Sequence, residues 1–316
     1  MNYLVTGGTG FLGSYICKQL LNDGHNVVCY DYAPNRNSIQ QVLTEKELEK
    51  VKLVSGDIRD DLLLIHVLQD EKIDKIIHVA GLLQLDSDKN MPATVDINIR
   101  GTVNVFEAAR ICGIKRVVWA SSNSAIGYVD YLKQDQLPDD VLHAPFTMYG
   151  KCKDTNEFIA KFYNEHYGME TVALRYMALY GVARMRGGAN WVTKLINEPA
   201  LGKSTEVPMG DDKPNFSYIK DAARATVLAS TATNLTQNAY SINGDVMTMA
   251  EAKKIVERLI PEDIELKLLP GAMGLNWDFD PSPAARDLGF KPAYTFEDGA
   301  RETINLIRQA NGMSQI

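Results

Sequence analysis

The chain of 316 residues predicts an α/β architecture, a Rossmann-type doubly wound parallel sheet with a smaller C-terminal substrate-binding cap. Three observations carry this expectation. Short apolar, β-branched runs alternate with amphipathic segments through the first half. A glycine-rich turn, Gly7 to Gly13, joins the first such run to the first amphipathic segment. Beyond about residue 178 the alternation loosens, and Pro199, Pro261, Pro270, Pro281 and Pro292 punctuate it.

Taken in order, residues 3–6, 26–30, 51–55, 75–80, 116–121 and 170–175 read as six strands, each short and apolar. Between them, 11–23, 60–70, 97–112 and 149–167 carry helical spacing, the first ending at Asp23-Gly24. A helical pattern near 191–196 follows the glycine- and arginine-containing stretch 184–190. Next come a strand at 216–219, a helix at 221–230, a strand at 239–243 and two helical patterns after Thr248. The expected division gives 1–177 and 214–245 to a dinucleotide-binding domain. Segments 178–213 and 246–316 form the cap, with the cleft between the two.

Composition narrows the function. Hydrophobic residues make up 45% and charged residues 23%, ordinary values for a globular enzyme. With 33 basic against 40 acidic residues the net charge is −7, and no basic stripe offers a footprint for nucleic acid. The longest apolar runs are strand-length, so neither a membrane span nor a signal peptide is expected, and a cytoplasmic protein is. Cys17, Cys29, Cys112 and Cys152 show no C-x-x-C spacing, and the five histidines form no ligand pair; no metal is expected.

Gly8, Gly10 and Gly13 satisfy G-x-G-x-x-G, and Gly7, Gly10 and Gly13 a close variant, directly after a strand and opening a helix at Phe11-Leu12. Glycine suits these places because backbone must approach a pyrophosphate at the helix N-terminus. Asp31 ends the second strand 18 residues after Gly13, where a carboxylate accepts hydrogen bonds from ribose hydroxyls and repels the extra phosphate of NADP. NAD is therefore the expected cofactor. Arg36 reads as a solvated loop residue, and Asp57-Ile58 falls at the adenine edge or at a helix start.

Tyr149 and Lys153 lie four residues apart and share one helix face, downstream of Ser121-Ser122 at the end of the fifth strand. Hydride leaves a carbinol carbon only as the hydroxyl proton leaves. A free phenol with a pKa of about 10 is too protonated to accept it unless a cation stands nearby. Lys153 supplies that charge, Ser122 holds the reacting oxygen, and Tyr149 acts as base in one direction and acid in the other. Cys152, inside the motif, reads as a buried packing residue.

With these motifs the chain resembles the extended short-chain dehydrogenases/reductases, the NAD-dependent epimerase/dehydratase family, over nearly its whole length. The matches are Thr6 to Gly13, Asp31, Gly56-Asp57-Ile58, His78-Val79-Ala80-Gly81, Asn98 in Asn98-Ile99-Arg100-Gly101-Thr102, Ser121-Ser122, Tyr149 with Lys153, Leu174-Arg175-Tyr176 before Tyr180-Gly181, Phe216 to Asp221 and Leu288 to Pro292. The resemblance implies a catalytic trio of Ser122, Tyr149 and Lys153, the lysine also bridging the nicotinamide ribose hydroxyls. It further implies cofactor contacts from Ala80, Gly81 and Asn98, though Asn98 reads equally as an interior helix residue satisfied by a backbone carbonyl, and a homodimer formed through the helices that start near Ile97 and Tyr149.

Two departures bear on the substrate. Nucleotide-sugar enzymes of the family often carry an asparagine where this chain has Ala178, and an arginine that clamps the pyrophosphate where it has Pro214. Asn123-Ser124 replaces the acidic pair of the dehydratases. Arg184 and Arg186 read as solvent-facing loop residues or as holders of an anionic substrate such as a hydroxy acid, with Asn123 and Ser124 as further substrate-side candidates, and the stretch 128–146 reads as a lid or a surface excursion. Trp191 and Trp277 read as packing residues. The leading expectation is NAD-dependent hydride transfer on a secondary alcohol or ketone of a small polar or sugar-like molecule. The alternative is a sugar-nucleotide 4-epimerase, like UDP-glucose 4-epimerase, that retains NAD. A binding protein with a vestigial site is opposed by the intact trio.

Overall fold

The computed structural model describes residues 1–130, 132, 136–184 and 190–316. Seven strands form one parallel sheet in the order β3-β2-β1-β4-β5-β6-β10. In chain order they are β1 (Asn2–Thr6), β2 (Asn26–Asp31), β3 (Val51–Ser55), β4 (Lys75–His78), β5 (Arg116–Ser122), β6 (Glu170–Tyr176) and, after three short strands elsewhere, β10 (Ala239–Ile242). The longer helices are α1 (Phe11–Asn22), α2 (Asp61–Asp70), α3 (Gly101–Ile111), α4 (Met148–Tyr167), α5 (Asn190–Ala200), α6 (Ile219–Thr231), α7 (Met249–Leu259), α8 (Ser282–Leu288) and α9 (Phe296–Ala310).

The strands are apolar throughout because both faces of the sheet are covered, and the two-residue period divides them between two cores. Tyr3, Val5, Val27, Cys29, Ile77, Val118, Val172 and Leu174 pack with α1, α6 and the cap. Leu4, Val28, Ile76, Val117, Trp119 and Ala173 pack with α2, α3 and α4 on the other side. Each fully buried aliphatic of this kind contributes about 1.5–3 kcal/mol. The order reverses between β1 and β4, and the carboxyl ends of these strands open the crevice where such folds take ligands.

Beyond β6 the chain departs from the expected elements. Four strands of two or three residues, β7 (Ala178–Tyr180), β8 (Thr205–Val207), β11 (Asp245–Val246) and β12 (Leu266–Leu268), were not foreseen, and three helices follow Thr248 where two were expected. The remaining strand, β9 (Asn215–Tyr218), pairs with β7 and β11 in a small sheet of its own, while β8 pairs with β12. The helix expected at 97–112 begins as a π turn over Val95–Arg100 and becomes regular at Gly101. Described parts of the 128–146 stretch are anchored. Val129, Leu137 and Val141 join Ile126, Met177 and Phe279 in a third core. The Leu137 amide donates to the Asp278 carbonyl at 3.0 Å, and the Asp280 amide donates back to the Leu137 carbonyl at 2.8 Å. All four cysteines are free thiols.

Candidate active site

The glycine loop is shaped by contacts that forbid side chains. Gly7 has φ +69°, and a Cβ there would stand 2.8 Å from the Ala80 backbone; one on Gly13 would stand 2.2 Å from the Gly7 carbonyl oxygen. Gly10 caps α1 without a side-chain hydrogen bond, and the first turn of α1 holds no acid, so its N-terminal amides are open to an anion. Asp31 is steadied by Thr9, whose amide and hydroxyl donate to Oδ2 at 3.2 and 2.7 Å; Oδ1 meets only the Ala33 amide, at 3.4 Å, among the described residues. Thr9 is a support the motif alone did not reveal. Arg36 is exposed.

Gly7, Gly10, Phe11, Leu12, Gly13, Asp31, Asp57, Ile58, Ala80 and Gly81 all line one cleft. Asp57 is paired with Arg59, whose Nη2 donates to Oδ2 at 2.6 Å, and this hydrogen bond holds its carboxyl below the usual range; Asp60, not Asp57, caps the following helix. Asn98 is buried and fits the second of its two readings, an interior polar residue satisfied by backbone. Its Oδ1 accepts from the Leu82 amide at 2.7 Å and its Nδ2 donates to the Leu82 carbonyl at 3.0 Å, so both ends of the amide brace the turn that carries Ala80 and Gly81. Ile97 reaches the cleft wall instead.

Tyr149 and Lys153 come from the first two turns of α4, whose N-cap Thr147 accepts from the Gly150 amide at 3.0 Å. The Lys153 ammonium donates to the Ala120 carbonyl at 2.6 Å and stands 5.6 Å from the Tyr149 ring centroid. Burial drives its pKa down to about 8. Burial pushes the Tyr149 phenol up to about 12, opposed by the neighbouring Ser122 hydroxyl and by the charge of Arg184. Ser122 Oγ accepts from the Ser124 amide at 3.1 Å and donates to Asn123 Oδ1 at 3.4 Å. Ser122, Asn123, Ser124, Tyr149 and Lys153 all line the cleft that the glycine loop opens. Cys152 is fully buried and lies off it. Beneath the site His78 is buried, its Nδ1 paired with Thr6 Oγ1 at 2.7 Å and its Nε2 with Thr102 Oγ1 at 3.1 Å; desolvation pulls it down to about 3.

The cleft encloses about 930 Å³ and ends against the cap. Arg184 lines it, its guanidinium 5.6 Å from the Phe11 ring centroid and donating to the Leu179 carbonyl. Its Nε is sealed from solvent without a partner among the described residues, and burial draws the group down to about 10. Arg186 lies outside the described residues. Ala178 also lines the cleft, whereas Pro214 is buried behind it. The cap wall is apolar, with Leu179, Met273, Leu275 and Trp277, and Met177 adjoins it. Trp277 is thus more than packing, and its Nε1 donates to Asp212 Oδ1 at 2.9 Å. Trp191 stays buried against Phe216. No periodicity marks 269–279, so only an aromatic stranded among Pro and Gly hinted at this wall.

These residues fit a dinucleotide: the loop is a cradle that any Cβ would fill, the α1 N-terminus is open to phosphate, and Asp31 keeps an oxygen for ribose. A doubly wound sheet with that cradle at one end of a cleft and a phenol, ammonium and hydroxyl at the other defines a nicotinamide-dependent hydride-transfer enzyme. Residues 3–243 match the NAD dependent epimerase/dehydratase family, and the chain belongs to it, an extended short-chain dehydrogenase/reductase whose cofactor is NAD. It is 28% identical to the UDP-glucose 4-epimerase of Lacticaseibacillus casei, across 96% of this chain and 95% of that one. The UDP-glucuronic acid 4-epimerase of Bacillus cereus, solved with UDP-glucuronic acid and NAD, is 26% identical with a TM-score of 0.82, covering 98% of this chain and 100% of its own. The UDP-N-acetylglucosamine 4-epimerase of Methanobrevibacter ruminantium is 25% identical with a TM-score of 0.84, covering 98% of both chains.

Proposed function

We propose that the enzyme is a sugar-nucleotide 4-epimerase that keeps its NAD bound. The convergence of Tyr149, Lys153 and Ser122 in the cleft opened by the glycine loop carries the hydride-transfer part of this reading. Full-length likeness to three 4-epimerases supports the outcome. Bound NAD supplies the hydride acceptor and donor. Tyr149 Oη takes the proton of the C4 hydroxyl as that carbon is oxidised and returns it on reduction. Ser122 Oγ hydrogen-bonds the reacting oxygen, and Lys153 favours the phenolate and holds the ribose hydroxyls. Asn123, Ser124, Arg184 and Arg186 serve as substrate contacts. Segments 1–177 and 214–245 carry the cofactor, and 178–213 and 246–316 the substrate. The active unit is a homodimer joined through α3 and α4, where Phe158 and Phe162 are exposed.

One observation favours a second reading, net oxidation of a compact anionic alcohol. The substrate end of the cleft offers apolar side chains where a diphosphate needs donors, and its unpaired cation is Arg184, beside Tyr149, among the described residues. The test is incubation of the purified enzyme, without added NAD, with UDP-glucose, UDP-galactose, UDP-glucuronate and UDP-N-acetylglucosamine, followed by chromatography. Interconversion of any C4 pair is the expected result. No conversion, with NADH appearing when NAD and a hydroxy acid or polyol are supplied, establishes the second reading.

A further inference from the structure

Two consecutive residues at the end of β5 grip two residues spaced by four on α4, and the next residue, Ser122, neighbours Tyr149 one turn before them. The Ala120 carbonyl accepts from Lys153 Nζ at 2.6 Å and the Ser121 hydroxyl donates to Glu157 Oε1 at 2.5 Å. Glu157 is held from the neighbouring strand as well. Arg175, the register partner of Ser121 on β6, donates from Nε to Oε1 at 2.9 Å and from Nη2 to Oε2 at 2.6 Å. The same guanidinium donates from Nη1 to the Asp139 carbonyl at 2.7 Å and lies 3.1 Å from His143 Nε2; His143 Nδ1 pairs with Asp154 Oδ1 at 2.8 Å, back on α4. The Glu157 and Arg175 side chains are only 9% and 4% exposed.

A buried ion pair is weak evidence for stability, since desolvation consumes most of its Coulomb gain. The apolar face of α4, with Cys152, Ala160 and Tyr163, already packs the helix against the sheet. The pair with its serine adds a fixed register at the point where the reactive groups must meet. Misplacement by about 1 Å at such a point costs on the order of 100-fold in rate.

We propose that Glu157 is a positioning residue: through Ser121 and Arg175 it locks α4 in register with the end of β5, and so sets the approach of Ser122 and Lys153 to the Tyr149 phenol. The inference rests on Tyr149 being the proton carrier, and it holds for an epimerase or a dehydrogenase alike. Among the described residues the charged groups facing that phenol are Lys153 from its own helix and Arg184 from the loop after β7, with the Cys152 thiol as a further titratable neighbour on α4.

The test follows the tyrosinate absorbance of the NAD-bound enzyme against pH, taking the difference between wild type and Tyr149→Phe as the titration of Tyr149. Glu157→Gln leaves the Arg175 charge poorly matched and risks the fold. Ser121→Ala deletes only the strand-to-helix hydrogen bond and keeps the pair. Both variants are expected to raise the Tyr149 midpoint by about one pH unit while the Kd for NAD stays within about twofold. On whichever substrate the enzyme turns over, kcat is expected to fall about tenfold with KM unchanged. A folded, NAD-binding Ser121→Ala enzyme with the wild-type midpoint overturns the proposal. A wild type that shows no titration beyond Tyr149→Phe removes the proton carrier itself, and this separate failure overturns both readings.

Discussion

Tyr149 and His78 show burial acting on two titratable rings with opposite uses. The phenol is raised by desolvation, and in the proposed mechanism it must be brought down by the bound cofactor and neighbouring cations before it accepts a proton, so oxidation should accelerate with rising pH until Tyr149 is ionised in the NAD complex. Tyr149→Phe should lower turnover by about 1,000-fold and leave the Kd for NAD unchanged in calorimetry, because the role proposed for the residue is proton transfer and not the grip on the dinucleotide. His78 is kept neutral by burial between Thr6 and Thr102, at about 3 against an unfolded value near 6.5. The unfolded chain therefore binds the extra proton first. Stability from this group is complete above about pH 6.5 and declines as pH falls toward 3, by up to about 1.4 kcal/mol per pH unit. Urea melts of His78→Gln should show that acid limb flattened, with a loss of about 1–2 kcal/mol at neutral pH from the imperfect replacement of its two hydrogen bonds.

At the scale of elements, the glycine loop is the least tolerant part of the fold. A methyl group on Gly13 collides with the Gly7 carbonyl, a backbone atom with nowhere to move because Gly7 is itself pressed on Ala80. Gly13→Ala should therefore weaken NAD binding by more than about tenfold and cost about 1–3 kcal/mol in denaturant melts, whereas Gly24→Ala, at a positive-φ turn with open space, should leave NAD binding intact. The same contrast explains what could be read from residues alone. The six strands and four helices of the first half were legible because burial on both faces leaves long apolar runs, and the loop, Asp31, Ser122, Tyr149 and Lys153 sit at fixed offsets from them. Strands β7, β8, β11 and β12 are too short to show a period. Asn98 kept two readings because a polar residue one position from the cleft looks the same in sequence as one facing it; the carbonyl and amide of Leu82 show where its amide turns. The cap wall of Met273, Leu275 and Trp277 lies in a segment without regular structure, held by Asp212, and no local pattern announces it.

At the scale of the whole molecule, an exposed apolar strip bears on assembly and a backbone clamp on exchange. Phe158 is 73% exposed and Phe162 41% exposed on successive turns of α4, an apolar strip on the helix that carries Tyr149. Phe158→Glu should shift sedimentation from dimer to monomer at micromolar concentration, with circular dichroism unchanged; a wild type that sediments as a monomer would sink the proposed assembly. No helix among the described residues is long and apolar enough to cross a membrane. The pair of backbone hydrogen bonds between Leu137 and the segment 278–280, backed by the third core, has a consequence for traffic through the cleft. It ties the stretch that follows Ser122 to the segment 278–280 beside the cleft wall, a contact that opposes hinge-like opening of the cleft. A dinucleotide seated at the bottom should consequently escape slowly, and protein purified without any added nucleotide should release close to one equivalent of NAD when denatured by acid.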